Sequence, residues 1–181
     1  MVKKIVIIGP ESTGKSTLCE QLAKHYSTQW VPEYARKYLD TNGIKYTYED
    51  LYKIAQGQIE SEDNIINSGP WTVGNKATAS PVFIDTDLYV IKVWSEFVFN
   101  KCDNRLLTSI ANRKYDLYLL CNIDLPWVKD ALREYPDLHT RKKLFHYYKE
   151  AMVNQPVSWN IISGSYEDRL QQAIAAVDII L

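Results

Sequence analysis

A chain of 181 residues, 46% hydrophobic, is long enough to bury a full core and is most simply one globular domain spanning 1–181. A formal net charge of −1 excludes the broad basic footprint of a nucleic-acid-binding domain, and no apolar run approaches the roughly 20 residues that span a bilayer. Cys19, Cys102 and Cys121, odd in number and without a CxxC, argue against a disulfide frame or zinc site and suit a reducing cytoplasm.

Lys3-Lys4 and the aliphatic run at 5–8 stop at Gly9, Pro10 and Glu11, far short of a secretory apolar core, and read as a strand. Gly9-Pro-Glu-Ser-Thr-Gly-Lys-Ser-Thr17 follows directly, a match to GxxxxGK[ST] between a strand and a helix, as that phosphate-binding loop requires. Gly9 and Gly14 let the backbone wrap, so that N–H groups of the loop, with Glu11, Ser12, Thr13 and Thr17, turn toward a polyphosphate. The next helix points its positive end at the same anion. Lys15 then reaches the β- and γ-phosphates of ATP, and the Ser16 hydroxyl ligates Mg²⁺.

Leu18, Leu22 and Tyr26 repeat at helical spacing. A short extended piece over 29–32 precedes a helix from Glu33 toward Asn42-Gly43. Thr47, with Asp50 three positions on, opens a long helix to about Asn67. The Gly/Ser/Thr/Asn-rich stretch 68–80 reads as a loop, and 81–85 as a buried strand ending in acid. Helices to about Arg113, a strand over 117–121, a charged helical stretch over 124–155, a strand over 158–163 and a helix over 165–180 complete the chain. Alternating strands and helices predict an α/β P-loop NTPase fold, a parallel sheet of about five strands covered on both faces. Its ligands belong at the carboxyl ends of the strands.

Acids and cations at those ends are therefore the candidates for phosphoryl transfer. Asp85 and Asp87 follow the third strand; one holds Mg²⁺ or orients substrate, and either is equally placed to cap the helix at Leu88. Asp85 is the preferred metal ligand beside Ser16. Glu33 stands where a carboxylate meets an acceptor hydroxyl, and Arg36, one turn on, neutralises phosphate or braces Glu33. Arg133 and Arg141 lie in a segment, about 124–143, expected to act as a lid over the phosphates. Tyr166 and Arg169, after the last strand, are placed to pack on adenine, while Ser165 and Asp168 are equally good caps for the last helix. Tyr34 and Trp71 are candidate ring clamps. His25, His139 and His146 show no ligand spacing.

In order, GPESTGKST, VPEYARKY, IAQGQIESED, FIDTD, LPWVKDALR and ISGSYEDR resemble the ribosylnicotinamide kinase half of bacterial NadR-type proteins over nearly the whole chain. The resemblance implies a nucleoside-kinase-like fold with a lid, and phosphorylation of the 5′-hydroxyl of nicotinamide riboside by ATP and Mg²⁺. It implies Lys15 and Ser16 on phosphate and metal, Glu33, Tyr34, Arg36, Gln58, Asp85 and Asp87 around the acceptor, and Arg133 in the lid. The implied partner is a small nucleoside, with neither nucleic acid nor membrane.

The sequence departs from the pattern at Pro32, where the family carries a tryptophan, and in a longer 68–80 loop. The family's adenylyltransferase half lies outside these residues, so no second activity is expected of them. Two other readings remain open at this level. One is a kinase for another nucleoside or small metabolite; the other is a nucleotide-dependent switch. Asn75-Lys-Ala-Thr78 is not the guanine-reading Asn-Lys-x-Asp pattern.

Overall fold

The structure is a computed structural model that describes residues 2–68 and 80–181. The expected loop at 68–80, apart from its two end residues, lies outside the described residues, as do Trp71 and the stretch 75–78. Five strands, β1 (Lys3–Ile8), β2 (Trp30–Val31), β3 (Pro81–Asp85), β4 (Leu117–Cys121) and β5 (Trp159–Ile162), form one sheet in the order β2-β3-β1-β4-β5. All four pairings are parallel. β3, β1 and β4 are covered on both faces, which explains their near-continuous apolar runs.

Alternation along the strands sorts the core into two layers. Ile5, Ile7, Phe83, Leu117 and Leu119 pack with Leu18 and Leu22 of α1 (Lys15–His25) and with Ala173 and Val177 of α7 (Tyr166–Asp178). Val6, Ile8, Val82, Ile84 and Leu120 face the other way. They meet Val93 of α4 (Leu88–Phe99) and Leu144, Tyr148 and Met152 of α6 (Leu138–Val153). A third cluster joins α2 (Tyr34–Asn42), α3 (Tyr48–Ser68), α4 and α5 (Asn104–Asn112) through Ala35, Leu51, Ile54, Ile91 and Leu106.

Side chains close the helix starts. Asp87, Asp103 and Asp137 accept backbone N–H groups at the heads of α4, α5 and α6. Ser165 and Asp168 form a reciprocal capping box on α7. One expectation fails: the stretch 124–155 is helical only over α6. Residues 122–137 run as turns and irregular chain over the carboxyl ends of the strands. Pro126 and Pro136 account for the interruption, since each biases its preceding residue away from helix.

α2 and α3 approach closely at one point. A Cβ at Gly57 would lie 2.0 Å from the ring of Tyr34, so only glycine lets the ring approach α3 this closely. Gly57→Ala should cost about 1–3 kcal/mol by overpacking, read as a lower urea midpoint. In a Tyr34→Ala background the same change should turn stabilising, by up to about 1 kcal/mol, because alanine is the better helix former.

Candidate active site

The loop after β1 turns through two glycines with positive φ, +139° at Gly9 and +78° at Gly14. A Cβ on Gly9 would sit 2.7 Å from the Cys121 carbonyl oxygen, so the loop can leave the sheet there only as glycine. Gly14 occupies the N-cap of α1 without any side-chain cap, which leaves the first N–H groups of that helix facing a cavity. Lys15 Nζ donates to the Pro10 carbonyl at 3.0 Å, and the Thr13 hydroxyl donates to the same oxygen at 2.7 Å.

That cavity, about 310 Å³, is bounded by the whole loop from Gly9 to Thr17, by Glu33 and Arg36 opposite it, and by Arg133 and Tyr166 at its rim. Behind Ser16 lies Asp85, 1% exposed, whose Oδ2 accepts the Ser16 hydroxyl at 2.5 Å. Its Oδ1 is buried without a hydrogen-bond partner. Burial, and then the charge of Glu33, push the Asp85 carboxyl up to about 7. Glu62 is equally buried and burial raises its carboxyl too, but it is partnered: Arg113 stands 2.8 Å away and the Tyr115 hydroxyl donates to it. An acid with an orphaned oxygen, a hydroxyl beside it and a second acid nearby is a hard-oxygen set that a divalent cation would satisfy. Among the described residues no three acids, histidines or cysteines gather to hold a metal alone. One carboxylate plus phosphate oxygens is the usual Mg²⁺ arrangement.

Asp87 is placed differently. It accepts the Tyr89 N–H at 3.0 Å and the Tyr118 hydroxyl at 2.8 Å, and burial raises its carboxyl to about 7. It is the α4 cap, not an acceptor-facing group. Gln58 is also turned away from the cavity: 1% exposed, it accepts from the Tyr34 N–H and donates to the Thr86 carbonyl. The Tyr34 ring packs on Gly57 rather than on the cavity wall. Arg169 is corrected too. It is buried outside the cavity lining, with its guanidinium donating to the Thr13, Asn122 and Gly164 carbonyls and paired with Asp124, so it braces the loops and is not presented to an adenine.

The segment 122–137 is fastened to the phosphate loop. Glu11 accepts from the Glu134 and Tyr135 N–H groups at 2.9 and 2.6 Å, and burial raises its carboxyl. Ser12 Oγ accepts from the Val128 N–H at 2.9 Å and from Arg133. Arg141, buried, reaches the Ser12 and Leu125 carbonyls and lies over the Trp127 ring, with its Nε unpartnered. Arg36 pairs with Asp130 at 3.3 Å. Thus Glu11 and Ser12 meet the segment through side chains as well as lining the loop.

Sequence reasoning missed the apolar end of the cavity, formed by Val90, Trp94 and Phe97 of α4 with Tyr135 and Tyr148. The spacing 90/94/97 was a visible signal of one helical face, but such a stripe usually means core. Tyr46 ties this wall to the segment, accepting from Trp94 Nε1 at 2.6 Å and donating to Glu134 at 3.3 Å.

Among known proteins, the chain is 27% identical to a trifunctional NAD biosynthesis/regulator protein NadR of Escherichia coli K12 and 26% to its Salmonella typhimurium counterpart. Both alignments cover 97% of this chain but only 42% of the relative. The fold matches a NadR protein solved in complex with NR, with a TM-score of 0.80 at 24% identity over 99% of this chain and 49% of the other. It also matches, at a TM-score of 0.59 and 12% identity, a deoxyadenosine kinase from M. mycoides with bound dATP, covering 97% and 99% of the two chains. The model of an AAA domain family matches residues 4–169, and the chain belongs to that family.

Proposed function

We propose that the chain is an ATP- and Mg²⁺-dependent kinase that converts nicotinamide riboside to nicotinamide mononucleotide, a step of NAD biosynthesis. The carrying observation is that Glu33 faces the phosphate loop across one cavity, with Asp85 and Ser16 beside the loop's Lys15. The names of the relatives support the acceptor: NAD biosynthesis in one case, NR bound in another. A NadR protein holding NAD and AMP-PNP, 22% identical with a TM-score of 0.75, supports the nucleotide.

In this reading the loop N–H groups and Lys15 hold the β- and γ-phosphates of ATP, and Tyr166 walls the adenine side. Ser16 and Asp85 would hold Mg²⁺, which supplies charge neutralisation at the phosphates. Glu33 orients the 5′-hydroxyl and takes its proton as the oxygen bonds to the γ-phosphorus and ADP leaves. Arg36 and Arg133 offset charge on the transferring group. The segment 124–143 is the lid of a single kinase domain, shutting out water that would otherwise accept the phosphoryl group. Trp94, Phe97 and Tyr135 offer π faces to a planar, cationic nicotinamide ring. Asp87, Gln58 and Tyr34 support the site from behind. Free, buried Cys19 and Cys121 are in keeping with a cytoplasmic setting.

Pure protein incubated with ATP, Mg²⁺ and a nucleoside panel, with mass detection of products, tests the reading. Nicotinamide riboside should give a phosphorylated product with matching ADP, and Lys15→Ala should abolish both while its melting curve stays cooperative. Slow ATP turnover indifferent to every acceptor would replace the kinase with a switch.

Glu33→Gln should lower kcat by about 10²–10⁴-fold while ATP affinity barely moves. A parallel loss of ATP binding would remove Glu33 from the acceptor side.

The raised carboxyl of Asp85 adds a pH test. Its folded value near 7 lies above the ordinary 3.8, so it contributes stability below pH 4 that is lost as pH rises through 7; Asp87 acts in the same sense. A cation must displace that proton, so the melting-temperature gain from adding Mg²⁺ to AMP-PNP-bound protein should grow between pH 6 and pH 8, flanking the value of about 7. Asp85→Asn should flatten that growth and leave the metal-free nucleotide gain in place.

A further inference from the structure

We propose that Gln58 is a positioning residue that sets the relation between Glu33 and Asp85 through the backbone, without touching the acceptor. This rests on the roles given above to those two acids. Its side chain is buried, with Oε1 accepting the Tyr34 N–H at 2.8 Å and Nε2 donating to the Thr86 carbonyl at 3.1 Å. The amide has one workable orientation. One neighbour offers a donor and the other an acceptor, so a flip would set like against like twice.

Each partner is the backbone neighbour of one acid. Tyr34 opens α2, and Glu33 is the N-cap residue, yet the Glu33 side chain makes no cap bond. Gln58 takes up the Tyr34 N–H, one of the groups that every helix start leaves unpaired, and so holds the Glu33–Tyr34 peptide from which the Glu33 side chain projects into the cavity. On the other side Thr86 is a β-branched residue at φ +67°, a strained left-handed conformation. That turn aims the acids on either side of it in different directions, Asp85 at Ser16 and Asp87 at the head of α4. Thr86 is pinned at its N–H by the Ile7 carbonyl at 3.0 Å and at its carbonyl by Gln58. The neighbouring Gly57 removes the Cβ that would push α2 away from α3. One side chain thus bridges the acceptor-side and metal-side acids, 24 and 28 positions away in sequence at its two bonds.

Two variants separate this from direct substrate contact. Gln58→Glu can still accept from Tyr34 but sets a second oxygen against the Thr86 carbonyl; Gln58→Met keeps the length and makes neither bond. AMP-PNP binding by calorimetry across a Mg²⁺ titration needs no acceptor. In both variants the Mg²⁺ concentration for half-maximal effect should rise about tenfold, the low end for residues that orient a metal ligand. With nicotinamide riboside, kcat should fall and acceptor KM stay put. Measured against wild type at the same pH, the Gln58→Glu defect should narrow as the pH falls, since the introduced carboxyl gains a proton to donate to Thr86, and the Gln58→Met defect should not.

A folded Gln58→Glu protein with wild-type Mg²⁺ dependence, or one changed only in acceptor KM, would overturn the proposal. If neither variant folds, the wild-type Gln58 side-chain NH₂ resonances decide: they should shift with Mg²⁺–AMP-PNP, whether or not the riboside also moves them, and no shift with Mg²⁺–AMP-PNP is fatal. Failure of every acceptor with wild-type protein would sink the kinase reading, while the Mg²⁺ titration would still judge Gln58.

Discussion

The register of β1 against β3 is the constraint from which the site follows. Ile7 pairs with Asp85, and the Thr86 N–H extends that ladder by donating to the Ile7 carbonyl. Two residues past Ile7 the chain enters the phosphate loop, so pairing alone brings a carboxylate to the base of an anion-binding turn. A slip of one residue would turn Asp85 to the opposite face of the sheet and put Ile84 behind Ser16. Both faces of β3 are apolar, so the slip is opposed by packing fit, with Phe83 shaped to the α1 layer and Val82 and Ile84 to the α6 layer, and by the bonds at the strand ends, Lys3 N–H to Ser80 and Thr86 N–H to Ile7. Core packing and active-site placement are therefore the same specification.

That placement is electrostatically expensive. Asp85 and Asp87 stand two residues apart at the end of a fully buried strand, and both are pushed to about 7 by loss of water. Their environments then diverge. Asp87 collects two backbone N–H groups and a tyrosine hydroxyl, the ordinary treatment of a buried cap. Asp85 keeps one oxygen unpartnered with Glu33 adding repulsion, a configuration a fold would not keep for stability alone. Strain at Thr86 separates the two fates. Under the proposed function, Mg²⁺ at that carboxylate would relieve the penalty, which would link metal binding and folding through one residue.

Much of this was legible in the chain. The loop motif, the strand before it and the acid closing 81–85 locate the phosphate site, because each is a local signal with a local cause. Helix limits were readable where caps exist, as at Ser165 and Asp168. What could not be read was the choice between chemically equal candidates. Asp85 and Asp87 differ only in which way Thr86 turns them, and Gln58 differs from a substrate ligand only in what α2 and β3 place beside it. Arg169 reads as an adenine-stacking cation until the turns after β1, β4 and β5 bring three carbonyls around it. The stretch 124–137 misled for another reason: its charge pattern is helical, but its anchoring is made by backbone groups, which composition does not record.

The bonds from Glu11 to the Glu134 and Tyr135 N–H groups carry a consequence for how this segment can vary. A carboxylate gripping main-chain N–H groups is blind to the side chains attached to them. Changes at positions 134 and 135 can therefore retune what the cavity admits while the Glu11 grip stays, at the cost of the Tyr46 bond to Glu134 and the Phe97 contact of Tyr135. Two changes are barred. Proline at either position removes the hydrogen that Glu11 holds. A one-residue insertion or deletion between Val128 and Glu134 throws the Ser12 and Glu11 anchors out of step, since both ends are tied to adjacent residues of one rigid loop. The strap is thus held to one length while its letters are less constrained, a place where the acceptor preference of the proposed kinase could change while the loop stays as it is.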